Sequence, residues 1–417
     1  MLTILLTNWI LSGRSGTETH VRDLALGLKA RGHRPMVFTL SWGELAEELV
    51  ASGVPVVTNL EALPWKPDLV HGHHNFTTLS ALLALPGTPG LFVCHDFLAW
   101  HDEAPKFPRL LMYAAVDISR QERIASEVKC SVSDVLCIRN AVDLTRFPSR
   151  TQPLPPEPRR ALVFGNLATE LSVVTPIREA CRMRGVQLDM AGAGAGKLVT
   201  DPEKILGGYD LVFGQGRCAM ESLVTGCAVI LCGREGMGPM ITSDNFETLR
   251  NDNFGRRCLT EPLETGSVLT ALDTYARTDH GVMHNLARTR LGMDEMVDQW
   301  LAAYRTLLAL PCPSDPIEEM RASAIMLAKL SPPLLGNFRA YEQFVAHTRE
   351  VAEMKDVIAR VKSERDRAKA TLIRERERQD SLMRVRGFMA TCWKRPWLRP
   401  LVQLLGLRPA RDEFHRA

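Results

Sequence analysis

Two stretches of this chain combine small residues, a strand end and a helix start in a way that suits the binding of phosphate or sugar. The first is Ser12-Gly13-Arg14-Ser15-Gly16-Thr17-Glu18-Thr19-His20, which follows the apolar run Leu2 to Leu6. The second is Tyr209-Asp210-Leu211-Val212-Phe213-Gly214-Gln215-Gly216-Arg217, with Glu221 one turn further on. At such junctions glycine lets a ligand approach the backbone, and the first N–H groups of the helix carry the positive end of its dipole. Glu221 is suited to accept hydrogen bonds from the two hydroxyls of a ribose, and a carboxylate there equally favours a helix start through the macrodipole alone. Arg217 either adds charge opposite a departing diphosphate or is a surface arginine.

Other residues invite chemistry with differing force. His95 ends the apolar run Leu91 to Cys94, and in open parallel sheets the carboxyl ends of strands face the ligand crevice, so it is the candidate at the reaction centre, with Asp96 expected to orient it. His71, His73 and His74 lack the spacing of a zinc motif and a nearby Cys or Glu partner, so no metal is expected. The run Ala191-Gly192-Ala193-Gly194-Ala195-Gly196-Lys197 fails as a P-loop because Leu198 follows Lys197; it reads as a tight turn beside the cleft, with Lys197 a candidate diphosphate anchor. Gly236 to Thr242 reads as a loop closing over a donor. A GxSxG elbow, a kinase motif set and a DxD at a strand end are all missing, which suits neutralising a diphosphate with helix termini and basic side chains rather than a divalent ion.

Those groups need two scaffolds. At 417 residues with 45% hydrophobic content, the chain is long enough for two or three domains. Short apolar runs alternate with amphipathic stretches over residues 1–147, from Thr3–Thr7 to Val135–Ile138, and again over 161–310, from Leu162–Phe164 to Ala228–Leu231. This predicts two doubly wound α/β domains. A proline-rich linker, 148–160, joins them, and 311–340 reads as a second linker.

Residues 341–417 read as a helical tail. Phe344, Val351, Met354, Ile358, Val361, Ala368 and Leu372 follow three- and four-residue steps broken by Arg365, the pattern of a coiled-coil-like helix that could self-associate. Beyond Ser381, basic residues stand beside Trp393 and Trp397. That composition fits either peripheral contact with an anionic membrane surface or docking of a basic tail on its own protein. The net charge of +3 does not suggest a nucleic-acid partner. Ten scattered cysteines without a CxxC pair point to a reducing compartment. With an N-terminus that reads as a first strand and no long uncharged apolar stretch, a cytoplasmic location is expected, at most peripheral at the inner face of the membrane.

Taken in order, these motifs resemble the family-four, group 1 glycosyltransferases of the GT-B fold. The resemblance lies in Gly16 to Thr39 with Glu18, Thr19 and His20, in Pro67-Asp68-Leu69-Val70-His71-Gly72-His73, in Val93-Cys94-His95-Asp96, in Asp117-Ile118-Ser119, in Ile138-Arg139-Asn140-Ala141-Val142-Asp143, and in Asp210 to Ile230. It covers about residues 1 to 310. It implies two Rossmann-like domains, an acceptor in the first beside Thr17, His73 and Asn140, and a nucleotide diphosphate sugar held mainly by the second at Gly214, Gly216, Arg217 and Glu221, with Gly16 of the first contributing. It also implies retention of configuration, no cofactor beyond the co-substrate, and a role in polysaccharide or glycolipid biosynthesis. Two departures stand out: Phe213 occupies the place of a usual second glutamate, and Phe164 to Glu170 lacks the usual arginine and lysine. A weakened nucleotide-sugar-binding pseudo-enzyme acting through its coiled tail, and an epimerase of the same fold, therefore remain as alternative readings.

Overall fold

The computed structural model describes residues 1–400 apart from 15, 166–170 and 193–200, so Lys197, most of the glycine run and the stretch ending at Glu170 lie outside the described residues, as does the end of the basic tail. Two compact units are present, Met1–Lys329 and Leu330–Ala417.

The first unit contains two sheets. Strands β1 (Thr3–Leu11), β2 (Arg34–Trp42), β3 (Val56–Val57), β4 (Leu69–His73), β5 (Gly90–Cys94), β6 (Leu110–Ala115) and β7 (Leu136–Cys137) pair in the order β3-β2-β1-β4-β5-β6-β7. Helices α1 (Gly16–Ala30), α2 (Glu44–Ala51), α3 (Asn75–Ala84) and α4 (Ile118–Val128) connect them. The pairings are parallel, and β4 and β5 are buried throughout, as strands covered on both faces must be. Strand order reverses between β1 and β4, so the chain leaves these neighbours toward opposite faces and a crevice opens at their carboxyl ends.

The second sheet has β8 (Arg160–Phe164), β9 (Gln187–Ala191), β10 (Leu211–Gly214), β11 (Ala228–Gly233) and β12 (Gly236–Met240) in the order β12-β11-β10-β8-β9, with α5 (Leu171–Met183) and α6 (Arg217–Thr225) among its helices. Its reversal falls between β8 and β10. The loop expected over Gly236 to Thr242 is instead largely an edge strand. Met237 and Met240 are buried and β12 pairs antiparallel with β11, so the glycines and Pro239 that signal a turn here accommodate a close edge pairing. Strand β6 ends at Ala115, because the Asp117 side chain accepts the Arg120 N–H and starts α4.

After α7 (Phe246–Arg250), α8 (Thr265–Leu272) and α9 (His280–Arg290), helix α10 (Met293–Ala309) returns to the first lobe. Its Met296, Val297, Trp300, Tyr304 and Leu307 join the core built by Leu24, Leu28 and Leu69. A Cβ on Gly27 of α1 would stand 2.7 Å from Val297, so this crossing needs glycine. Helix α11 (Pro316–Trp393) starts inside the stretch read as a linker. Asp315 caps it through the Ile317 and Glu318 N–H groups, and Glu319 forms a two-armed ion pair with the buried Arg109 at 2.7 and 2.9 Å. In the second unit, Met354, Val357, Ile358 and Val361 of the helix are exposed. No described helix is long and apolar enough to cross a membrane.

Because Trp300 is fully buried in the first lobe's core, Trp300→Ala should cost about 3–5 kcal/mol and lower the melting temperature by several degrees. Gln299→Ala, on the exposed face of the same helix, should leave it within about 1 °C. Equal melts for the two variants would remove α10 from the core.

Candidate active site

Histidines gather at the carboxyl edge of the first lobe's sheet because three elements meet there. His73 is the last residue of β4, His95 follows β5 directly, and His20 stands one turn into α1. His73 Nδ1 and His95 Nε2 share a hydrogen bond of 2.8 Å, and the His20 ring lies 4.8 Å from the His95 ring and 5.5 Å from that of His73. Behind them His71 stacks on His73 at 4.6 Å and meets the Tyr304 hydroxyl of α10 at 2.6 Å. His74 sits beside this group with φ of 63°, its Nδ1 accepting the Trp9 N–H at 3.1 Å.

Burial keeps these rings uncharged. It is the main cause holding His71, His73 and His95 well below the ordinary imidazole range, with neighbouring histidines adding to the effect. His20 is pushed down to about 4 by burial and Arg217, against an opposing pull from Asp23. His74 is pushed down to about 3, again chiefly by burial. Asn140, on the loop after β7, faces His20, while Thr17 and Gly16 form the partly open first turn of α1.

Asp96 does not orient the His95 ring as expected. The carboxylate of Asp96 accepts the N–H groups of Leu98 and Ala99, both at 2.7 Å, and so closes its own turn instead of orienting the His95 ring. Burial would raise its carboxyl, but these bonds hold it below the usual range. Asp102 instead carries the strand end: its Oδ2 accepts the His95 N–H at 2.8 Å and the Asp96 N–H at 2.5 Å. Asp102 is almost fully buried, which raises its carboxyl to about 6 against those two hydrogen bonds.

In the second lobe, Gly214 ends β10 where a Cβ would stand 2.9 Å from the Phe164 carbonyl oxygen, so the approach of β8 and β10 at the switch point demands glycine. Gly216 precedes α6 with φ of 57°, and its N–H is already bonded to the Phe254 carbonyl at 2.8 Å. Glu221 is only 6% exposed. It lies at the contact between the lobes, where its Oε1 accepts from Arg217 Nε at 2.7 Å while the other arm of Arg217 pairs with Asp23 of α1. Burial raises the Glu221 carboxyl, and Arg217 opposes the rise. The carboxylate is thus enclosed at the contact between the lobes, held by Arg217.

Further cations gather near this pair. Arg22 bridges Asp23 and Glu48, each at 3.1 Å, and Arg14 reaches Glu48 at 3.6 Å. Arg146 pairs with Glu203 at 3.1 Å. None of the three had been singled out as a phosphate anchor from sequence. A usable signal was the stripe Gly16, His20, Asp23 at helical spacing, polar residues on a helix whose Val21, Leu24 and Leu28 face the core. A cavity of about 730 Å³ lies elsewhere on the second lobe, between β12 and α8; Met237 to Met240 and Thr242, from the stretch expected to close over a donor, line it, and the other candidate residues do not. Among the described residues, two groups of side chains have the proximity to hold a metal ion, His20 with His73 and His95, and His74 with His101 and Asp102.

The neutral histidines have a consequence for stability. Unfolded, they titrate near 6.5, so below that pH the folded state binds fewer protons than the unfolded one, and stability present above pH 6.5 is lost as pH falls toward 4. Each such ring contributes a slope approaching about 1.4 kcal/mol per pH unit. Urea midpoints should therefore fall steeply between pH 7.5 and 5, and a flat profile would mean that the rings are not buried neutral.

Neither a protein-family model nor a curated protein matches the chain, but solved structures do. A glycosyltransferase from Rickettsia africae ESF-5 superposes with a TM-score of 0.55 at 15% identity, over 74% of this chain and 99% of that one. Anabaena Alr3699/HepE in complex with UDP and glucose gives 0.50 at 14% identity, over 74% and 100%. The lipopolysaccharide outer core galactosyltransferase WaaB, in its apo form, gives 0.50 at 10% identity, over 73% and 99%. At these identities the likeness is one of fold: two parallel-sheet α/β domains in the GT-B arrangement, followed here by a C-terminal helix.

Proposed function

We propose that this chain is a glycosyltransferase moving a sugar from a nucleotide diphosphate sugar to a polysaccharide or glycolipid acceptor, with retention of configuration and without a metal ion on the diphosphate. The observation that carries the reading is the meeting of the α6 start with α1 through Arg217, which sets a cationic helix end opposite a crevice of neutral histidines. Glu221 would read the ribose, with Arg217 and the arginines at positions 14, 22 and 146 balancing the diphosphate. His95, backed by His73, would donate to or accept from a hydroxyl of the transferred sugar, while Thr17, His73 and Asn140 border the acceptor. Catalysis would come from holding both substrates in register and stabilising the departing diphosphate, so no covalent nucleophile is required. An acceptor at the inner face of the membrane suits the basic tail.

A second reading is a nucleotide-sugar-binding pseudo-enzyme. It is favoured by Phe213, which fills the place of a second carboxylate and is fully buried, and by the pairing that already occupies Glu221.

Thermal melts with UDP, UDP-glucose and other nucleotide diphosphate sugars test the donor; a ligand at 100 times its Kd should stabilise the fold by about 2.7 kcal/mol. Glu221→Gln, nearly isosteric, should weaken that binding roughly tenfold, in line with the loss of a charged hydrogen bond. His95→Ala should lower kcat by about 10²-fold or more while leaving donor binding near wild type. Failure of every nucleotide to bind would favour the pseudo-enzyme, and unchanged kinetics in both variants would remove the site. Donor consumed without acceptor would point to an epimerase.

A further inference from the structure

We propose that His20, His73 and His95 form a binding site for a single first-row divalent transition ion, zinc suiting it best. Each offers a ring nitrogen within 4.8 Å of the others, from three different elements, α1, β4 and the end of β5. Two nitrogens bound at 2.0–2.1 Å to a tetrahedral ion stand roughly 3.3 Å apart. The 2.8 Å between His73 Nδ1 and His95 Nε2 is therefore a few tenths of an ångström short of that spacing. One nitrogen of the group points to a missing ligand: His20 Nε2 is buried and has no hydrogen-bond partner. Burying a polar atom without a partner is costly, and coordination of His20 would remove part of that cost. Imidazole donors select zinc, copper, nickel or iron over magnesium, calcium and manganese, which prefer oxygen.

Charge and access are compatible with such an ion. Arg217 opposes a cation near His20, and Asp23 offsets it. His95 keeps a partly exposed edge, so a fourth ligand from solvent or substrate can enter on that side. The neighbouring group of His74, His101 and Asp102 is a poorer host. His74 Nδ1 accepts the Trp9 N–H, which leaves the proton of the neutral ring on Nε2, the atom 3.7 Å from Asp102. A ring in that state has no lone pair left for a metal. This ion is separate from the diphosphate, and His95 ties its occupancy to turnover only if the transferase reading holds.

The full-length protein, stripped with a chelator, is titrated with Co²⁺ and Zn²⁺ in the absence of nucleotide. One equivalent of Co²⁺ should bind with the intense visible absorption of a tetrahedral nitrogen-rich site, and Zn²⁺ should displace it. His20→Asn and His73→Asn should each weaken Zn²⁺ binding at least tenfold, whereas His101→Asn should leave it unchanged. Since His73 is fully buried and its variant is at risk of misfolding, X-ray absorption of the zinc-loaded wild type supplies a second readout, imidazole scattering from about three rings. Absence of stoichiometric binding, binding indifferent to His20→Asn, loss in His101→Asn, or a spectrum without imidazole scattering would each overturn the site. Nucleotide melts are independent of this titration, so either result stands without the other.

Discussion

One guanidinium joins the two halves of the site. Arg217 sits at the start of α6 and is shared by Glu221 of its own helix and Asp23 of α1. A buried charge is tolerable only when paired, and burial works against the Arg217 charge until both carboxylates offset it. This fixes the start of α6 against the second turn of α1. Since His20 stands one turn before Asp23 and its ring borders His73 and His95, the same contact sets the distance between the second lobe's helix start and the histidine crevice. Other contacts hold the lobes together nearby: Arg139 bonds Asn251 at 2.7 Å, Asn253 bonds the Val116 carbonyl, and Ile118 N–H reaches the Asn251 carbonyl. Helix α10 then ties the chain back to the first lobe's core. The interlobe geometry is overdetermined, and Arg217 is the part of it that lies within the site.

The two sides of that contact divide the electrostatic work. On one side are permanent cations paired with carboxylates, Arg22 with Asp23 and Glu48, Arg146 with Glu203. On the other are imidazoles that burial keeps neutral. Neutral rings exchange hydrogen bonds with hydroxyls without adding charge, while guanidinium groups match phosphate oxygens in geometry and sign. The division follows from where the residues fall in the fold. Histidines at the ends of interior strands lose their water and their charge, whereas Arg22 of α1, equally buried, and Arg146 of the loop after β7 keep theirs beside acids.

Much of this scaffold is legible in the residues. Short apolar runs mark the interior strands because parallel strands covered on both faces must be apolar throughout, and His95 stands out because such a run ends on it. Gly214 and Gly216 are marked by their type and have definite steric reasons. What escaped is what depends on long-range closure. Asp102 lies seven residues beyond His95 in a loop without periodicity, and only the fold of that loop turns its carboxylate onto the His95 and Asp96 N–H groups. Asp96, adjacent in sequence, is the natural choice to orient His95, but its side chain closes a local turn instead. Strand β12 was hidden by glycines and a proline that normally break strands, and an edge position tolerates them because one side needs no partner. The return of α10 is written in its apolar face, but which core receives that face is a tertiary fact.

The resting pairing of Arg217 also bears on how a donor would enter the proposed transferase. A diphosphate approaching the start of α6 competes with Asp23 for the same guanidinium. Phosphate oxygens accept the planar fork at least as well as a carboxylate does, so the exchange replaces one charged pair with another. Asp23 is not stranded by it, since Arg22 already stands 3.1 Å away. Glu221 keeps its place through Arg217 Nε and retains Oε2 for a ribose hydroxyl. Such an exchange would cost little because it would leave no buried charge unpaired at either end, and it would couple donor arrival to a contact that holds α6 against α1. Loss of the Asp23 tether would then let the lobes adjust around the donor, while α10 and the Asn251 contacts keep them from separating.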